Sequence, residues 1–396
     1  MTNLYSFYKN MLKGESLPCA VLHLELFYRN IEHIARRAGG KQVRIASKSL
    51  RCVHALRYIL ETGSPFSGIM TYSGKETLYL AEMGFNNLLL GYPLTSLAVL
   101  RELAQLVKNG KQVCFMADCA EHLNMLNKVG KETGCAMPVC IDYDLSNHYP
   151  GLHFGVWRSG INTLQKLERL LDELKKFPFV HLEGLMGYEA QVAGIGDTVY
   201  GKGLKSLVVQ QLKKKAIRLA EKNRAAAVEL IHSRGHNLRF VNGGGTGSME
   251  TTAREKVVTE ITAGSGFFNG HLFDNYKAFQ PEPALLFALE IVRMPNKNTY
   301  TCFGGGYIAS GATGKEKLPE VYLPEHGLLD AQEGAGEVQT PIRFTQIPEP
   351  LALGDPVFLR HAKSGELCER FNEIVVIAQN ELYRVPTYRG SGYSFG

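Results

Sequence analysis

Residues 238–248 read Leu-Arg-Phe-Val-Asn-Gly-Gly-Gly-Thr-Gly-Ser, a short apolar run that opens into a glycine-rich loop. That pattern predicts a buried strand ending in a turn. Seven runs of similar texture lie upstream: CAVLHLEL from Cys19, VRIAS from Val43, SGIMTY from Ser67, NLLLGY from Asn87, QVCFMA from Gln112, MPVCIDYD from Met137 and VHLEGLMG from Val180. Amphipathic segments separate them, among them 26–38, 50–61, 75–83, 95–108 and 161–177. The longest, 203–234, repeats Leu204, Leu207, Val208, Leu212 and Leu219 at helical spacing. Eight strand-then-helix units is the number that closes a (β/α)8 barrel of the TIM type. An open doubly wound sheet is the alternative. The expected barrel spans 15–275. After Tyr276 the helical period fades, and Pro and Gly punctuate runs such as ALLFALEIVRM, NTYTCFGGGYIA, DPVFLR and NEIVVIA. Short strands at that spacing predict an all-β C-terminal domain over 276–396, on which residues 1–14 are candidates to pack.

The chain has 396 residues, of which 45% are hydrophobic and 21% charged, so bulk disorder is excluded. Its 44 Lys and Arg against 38 Asp and Glu give a mild excess of +6. The densest basic cluster, Lys213-Lys214-Lys215 with Arg218, falls in the long helical pattern and reads as a solvated face. A nucleic-acid footprint would be concentrated and interleaved with aromatics, so no nucleic-acid partner is expected. An anionic small ligand needs only one focused positive spot. None of the eight cysteines forms a CxxC pair, and their scatter reads as reduced, buried thiols in a cytoplasmic setting. The N-terminus carries no signal-like apolar region. The most apolar stretch, 88–100, is interrupted by Gly91 and Pro93 and is too short to span a bilayer, so no membrane partner is expected.

A barrel places its chemistry at the C-terminal ends of its strands. Lys48 ends the run Val43-Arg44-Ile45-Ala46-Ser47-Lys48. A lysine in a barrel mouth can be desolvated and held partly neutral, as Schiff-base formation requires; the plain alternative is a lysine snorkelling at a strand end. In Asn242–Ser248 the glycines allow close backbone approach to an anion, and Thr246 and Ser248 add hydroxyls. No Gly-Lys-Ser/Thr follows, so this is not a P-loop, and a flexible turn is the alternative. Thr259-Glu260-Ile261-Thr262-Ala263-Gly264-Ser265-Gly266 reads as a second small-residue loop. Two such loops at neighbouring strand ends suit one phosphate group.

Taken in order, Arg44-x-x-x-Lys48-Ser49, Gly187-Tyr188-Glu189-Ala190, the Gly-Gly-Gly-Thr-Gly-Ser loop, Thr259-Glu260-x-x-Ala263-Gly264-Ser265, Pro324-Glu325-His326-Gly327 and Gly354-Asp355-x-Val357 before Arg360-His361 carry a resemblance. The chain resembles the fold-type III pyridoxal-phosphate enzymes, and within them the D-threonine aldolase, D-serine dehydratase and amino acid deaminase/aldolase group. The resemblance runs from about Pro18 to the C-terminus. It implies pyridoxal 5'-phosphate as cofactor and a homodimer whose sites draw on both subunits. It makes Lys48 the Schiff-base lysine and gives the phosphate to Gly245, Thr246, Gly247, Gly264 and Ser265. Arg158 would face the cofactor's phenolate, and Tyr188 would lie near its ring. The implied activity is that of a lyase on a D-configured β-hydroxy amino acid, by retro-aldol cleavage or β-elimination. An amino-acid racemase and a cofactor-binding homeostasis protein with little turnover are the alternatives.

The sequence departs from the group at three places. Metal-dependent members carry a His-x-Cys or His-x-Asp pair where this chain reads His361-Ala362-Lys363, so no metal is expected there. A rearranged site using Glu366 or Cys368 is the alternative. His23 replaces an aspartate, and Thr262 stands where relatives often have Arg or His.

Overall fold

The computed structural model describes residues 4–198, 203–312, 314–347 and 350–396, without the side chains of 203–206, Leu204 among them. It divides into two compact units.

One unit comprises Ile34–Lys48, Leu56–Gly264 and the last two residues. Its eight parallel strands close on themselves in chain order: β1 Gln42–Ala46, β2 Phe66–Thr71, β3 Leu88–Leu90, β4 Val113–Ala117, β5 Met137–Asp142, β6 Val180–Gly187, β7 Phe240–Gly243 and β8 Glu260–Ala263. All residues of β3, β4 and β5 are buried, as expected for parallel strands covered on both faces. Helices Gly74–Glu82, Leu97–Lys108 and Leu164–Leu174 each begin at a serine or threonine that caps them, Ser73, Ser96 and Thr163. Inside the barrel, Leu89, Cys114, Met116, Cys140, Met186 and Phe240 form one buried cluster. Phe240 can enter because Gly184 faces it: a Cβ there would lie 2.2 Å from the ring. At the interior of β1 and β8, Arg44 grips Glu260 with two bonds of 2.7 and 2.9 Å and donates to Asn87 O.

The barrel is the (β/α)8 type, but its membership corrects one expectation. The eighth strand is Glu260–Ala263, expected as a loop, and Cys19–His23, expected to open the barrel, belongs to the other unit. Four consecutive buried residues satisfy a central strand of either sheet, and period alone does not separate the two cases.

The other unit comprises residues up to His33, Ser49–Ala55 and Ser265–Ser394, so the division does not fall at 275. Its sheet runs in the order Gly327–Leu329, Gln339–Phe344, Thr299–Phe303, Leu285–Asn296, Cys19–His23, Glu373–Ala378, Glu381–Pro386, with Pro356–Arg360 and Glu320–Leu323 alongside. Cys19–His23 pairs antiparallel with Leu285–Asn296 and parallel with Glu373–Ala378. Helix Leu4–Met11 is tied to this sheet through Tyr5 to Pro356 O at 3.1 Å, Lys9 to Asp355 at 2.8 Å and Tyr8 to His23 Nδ1 at 2.7 Å.

Lys213 corrects a second expectation. Lys214, Lys215 and Arg218 are exposed, but Lys213 is buried and bonds Ile195 O and Asp197, both at 2.7 Å. Among the described residues no helix is long and apolar enough to cross a membrane.

Candidate active site

Because the barrel strands are parallel, all their C-terminal ends share one rim. Lys48 follows β1, Tyr92 follows β3, Asp142 ends β5, Tyr188 follows β6, Gly245–Gly247 follow β7 and Gly264 follows β8. Six of the eight strands thus deliver polar or glycine residues to the same end of the fold.

Lys48 lies in a single turn directly after β1, its side chain exposed and its Nζ 3.5 Å from the Tyr92 hydroxyl. The Tyr92 ring in turn sits 4.8 Å from the Arg158 guanidinium carbon. Burial pushes the Tyr92 phenol up, but the positive charges of Lys48 and Arg158 outweigh it and bring the phenol below its ordinary value. Sequence reasoning missed Tyr92, because it ends an apolar run and looks like core.

Arg158 follows a small hairpin, Asn147–Tyr149 with Leu152–Phe154, inserted after β5. Its Nε donates to Asp142 at 2.5 Å and its Nη2 to Gly91 O at 2.7 Å. Two anchors, one at the end of β5 and one just after β3, fix the plane of the guanidinium. Asp142 is buried, and its second oxygen, Oδ1, has no hydrogen-bond partner among the described residues. Burial pushes its carboxyl up to about 6, against the pull of Arg158. A carboxyl whose folded pKa is raised contributes stability in its protonated form, and that contribution is lost as pH rises through 6. Lowering pH from 8 to 4 is therefore expected to stabilise the natural protein over Asp142→Asn by roughly 2–3 kcal/mol. Urea midpoints of the two proteins across that range check this, and parallel curves would refute it.

The glycine loop rests on a buried ionic base. Glu189 accepts from Ser248 Oγ at 2.8 Å, from Thr252 Oγ1, and from Gly244 N at 3.3 Å. Arg224, fully buried in helix Gly203–Ser233, donates to Glu189 at 2.6 Å, to Gly187 O at 2.9 Å and to Glu255. Gly245 spends its own N–H on Ser248 Oγ at 3.1 Å, so its contribution is space. A Cβ there would lie 2.9 Å from Ala193 and 3.3 Å from the Tyr188 ring. Thr246 is buried, and its carbonyl accepts from Arg37 at 2.5 Å. Burial raises the Tyr188 phenol to about 12, with the Glu189 charge adding to it, so Tyr188 stays protonated at neutral pH.

Ser265 continues the chain from Gly264, and its hydroxyl lies 3.1 Å from that of Ser49. Thr262 exchanges hydrogen bonds with the Asn242 amide at 2.8 and 3.1 Å. In the sheet unit His361 is buried with Nε2 3.4 Å from Ser364 Oγ, whereas Lys363 donates to Ser310 O at 2.7 Å. His23 packs against Tyr8 and Glu25.

The chain is similar to 3-hydroxy-D-aspartate aldolase of Paracoccus denitrificans (strain Pd 1222), 21% identical over 253 residues, 63% of this chain and 60% of that protein. D-threonine aldolase of Arthrobacter sp is 24% identical over 270 residues, 66% of this chain and 65% of that protein. The match thus spans less than two thirds of the length of either relative. Among solved structures, D-threonine aldolase from Filomicrobium marinum superposes with a TM-score of 0.80 at 16% identity, covering 96% of each chain. D-threo-3-hydroxyaspartate dehydratase from Delftia sp. HT23 superposes with a TM-score of 0.75 at 18% identity, covering 95% of this chain and 98% of that one. At such identities these superpositions speak for the fold. The model of the alanine racemase N-terminal domain matches residues 22–250, more than half of the length, and the chain therefore belongs to that family.

Proposed function

We propose that the chain is a pyridoxal-phosphate-dependent lyase acting on a D-configured β-hydroxy amino acid. The observation that carries this reading is the meeting of Lys48, Tyr92 and Arg158 on the barrel rim. The residues fit the cofactor. A primary amine stands beside a phenol that in turn meets a guanidinium, and a glycine-rich loop follows β7 on the same rim. Lys48 would hold the cofactor covalently, and Thr246, Gly247, Gly264 and Ser265 would hold its phosphate, with Gly245 packed against Ala193 and Tyr188. Pyridoxal phosphate, when bound, supplies an electron sink for the pair left at Cα as a bond there breaks.

This chain's own groups would do the rest. Arg158, fixed by Asp142 and Gly91, presents positive charge to an anionic ring oxygen. Tyr92, with its lowered phenol, exchanges a proton with the Lys48 amine at 3.5 Å. Thr262 offers a neutral hydroxyl rather than a charge in the barrel interior. No metal is proposed at His361. A homodimer is part of this reading and rests on the resemblance, and a cytoplasmic location is supported by seven of eight cysteines being free and buried.

The test is to load the protein with pyridoxal phosphate and incubate it with D- and L-threonine, serine and 3-hydroxyaspartate. Glycine or an aldehyde from a D-substrate marks aldol cleavage, and ammonia with a keto acid marks elimination. Inversion without fragmentation would replace the lyase by a racemase. Return of every substrate unchanged would leave a cofactor-binding protein.

A further inference from the structure

Of the eight cysteines only Cys119 is not buried. It lies just beyond β4, on the rim that also carries Lys48 and Arg158, and it is the residue before helix Ala120–Thr133. That is the capping position, yet its side chain makes no cap bond, and cysteine is not a usual capping residue. The sulfur faces the His122 backbone N–H and the Glu121 carboxylate in the first turn of the helix. One residue before it stands Asp118, and one helical turn after it stands His122. The ligand atoms of Asp118, Cys119 and His122 all lie within 4.8 Å of one another, with Asp118 Oδ1 and His122 Nδ1 at 2.9 Å. All three are half-buried.

We propose that Asp118, Cys119 and His122 form a binding site for a zinc-class divalent cation on the barrel rim, independent of the proposed catalytic reading. A tetrahedral ion at about 2.0–2.3 Å from O, N and S ligands sets those ligands about 3.3–3.8 Å apart. The three ligand atoms, one pair at 2.9 Å and all within 4.8 Å of one another, lie in the range of that spacing. The charges match as well: a carboxylate, a thiolate and a neutral imidazole carry two negative charges for one divalent cation. Oxygen, nitrogen and sulfur together select a borderline-soft ion over magnesium or calcium. Gly160 N donates to the Asp118 carboxylate, the kind of outer contact that orients a ligand. Half-burial leaves the fourth position to water.

The site has a route to the rest of the rim. Ala117 pairs with Ile141, so Asp118 and Asp142 follow at neighbouring strand ends, and the Asp118 charge is one of those that raise the Asp142 carboxyl. A cation on Asp118 would cancel that charge and strengthen the hold of Asp142 on Arg158.

Cobalt(II) is the probe. Titrating the metal-free full chain with cobalt is expected to give one equivalent bound and a near-ultraviolet thiolate-to-cobalt band. Cys119→Ser should abolish the band, and His122→Ala should weaken binding at least tenfold. In the unmodified protein one equivalent of zinc should slow alkylation of Cys119 at least tenfold, a readout that needs no variant. Unchanged alkylation with zinc, or a cobalt band that survives Cys119→Ser in a folded protein, would overturn the proposal. Neither readout involves the cofactor or any amino-acid substrate, so failure here is distinct from failure of the lyase reading.

Discussion

Lys48→Ala is expected to lower turnover by on the order of a thousandfold or more and to leave the barrel folded. The side chain is exposed, at the end of β1, so its removal costs the fold little. The chemistry depends on it far more, because Lys48 is the amine that meets Tyr92, which in turn meets Arg158 on this rim. The measurement is a borohydride-reduction peptide map of the cofactor-loaded protein beside steady-state rates. The natural protein should carry its reduced adduct on the peptide containing Lys48, and the variant should carry none. An adduct on another lysine, or a variant that keeps more than a tenth of the rate, would move the site away from β1.

Much of this rim was legible in the sequence because strand ends announce themselves. Val43–Ala46 and Phe240–Asn242 are short runs that give way to Lys48 within two residues and to glycines at once, and β1 and β7 stop there, at Ala46 and Gly243. What was not legible depends on partners far apart in the chain. Glu260 and Thr262 make Glu260–Ala263 look like a polar loop, yet Glu260 is neutralised by Arg44 and Thr262 is satisfied by Asn242. A strand whose polar residues are paid for inside a barrel carries no alternating pattern. Cys19–His23 fails in the opposite way: its apolar run suits either sheet, and only its partners Leu285–Ala288 and Ile374–Ile377 decide. Lys213 looked like its exposed neighbours until Asp197 and Ile195 O appeared beside it. Tyr92 is the same lesson at the site, since its role comes from Lys48 and Arg158, which lie 44 and 66 positions away in sequence.

Arg224→Met is expected to cost more stability than any surface change, about 3–5 kcal/mol at neutral pH. The guanidinium is fully buried and answers two buried carboxylates, Glu189 and Glu255. Methionine fills similar volume, so the loss is chiefly electrostatic: two uncompensated negative charges remain beneath the glycine loop. The Glu255 carboxyl already sits above its ordinary value, raised by burial against the pull of Arg224 and with Glu189 adding to the rise. Removing Arg224 takes away the charge that opposed this, so the folded-state pKa of Glu255 rises further above its unfolded value. Protonation then favours the folded state, and the defect should shrink as pH falls. Urea midpoints of Arg224→Met at pH 8 and pH 5 are expected to show the larger loss at pH 8. Adding Glu189→Gln and Glu255→Gln should restore part of the stability and flatten the pH dependence, because no buried charge is then left unpaired. A loss below about 1 kcal/mol, or one equal at both pH values, would mean that water reaches the pair. Glu189 also holds Ser248 Oγ and Gly244 N, so the same variant should loosen the loop 243–248 before the barrel opens, seen as faster amide exchange there than in β4 or β5.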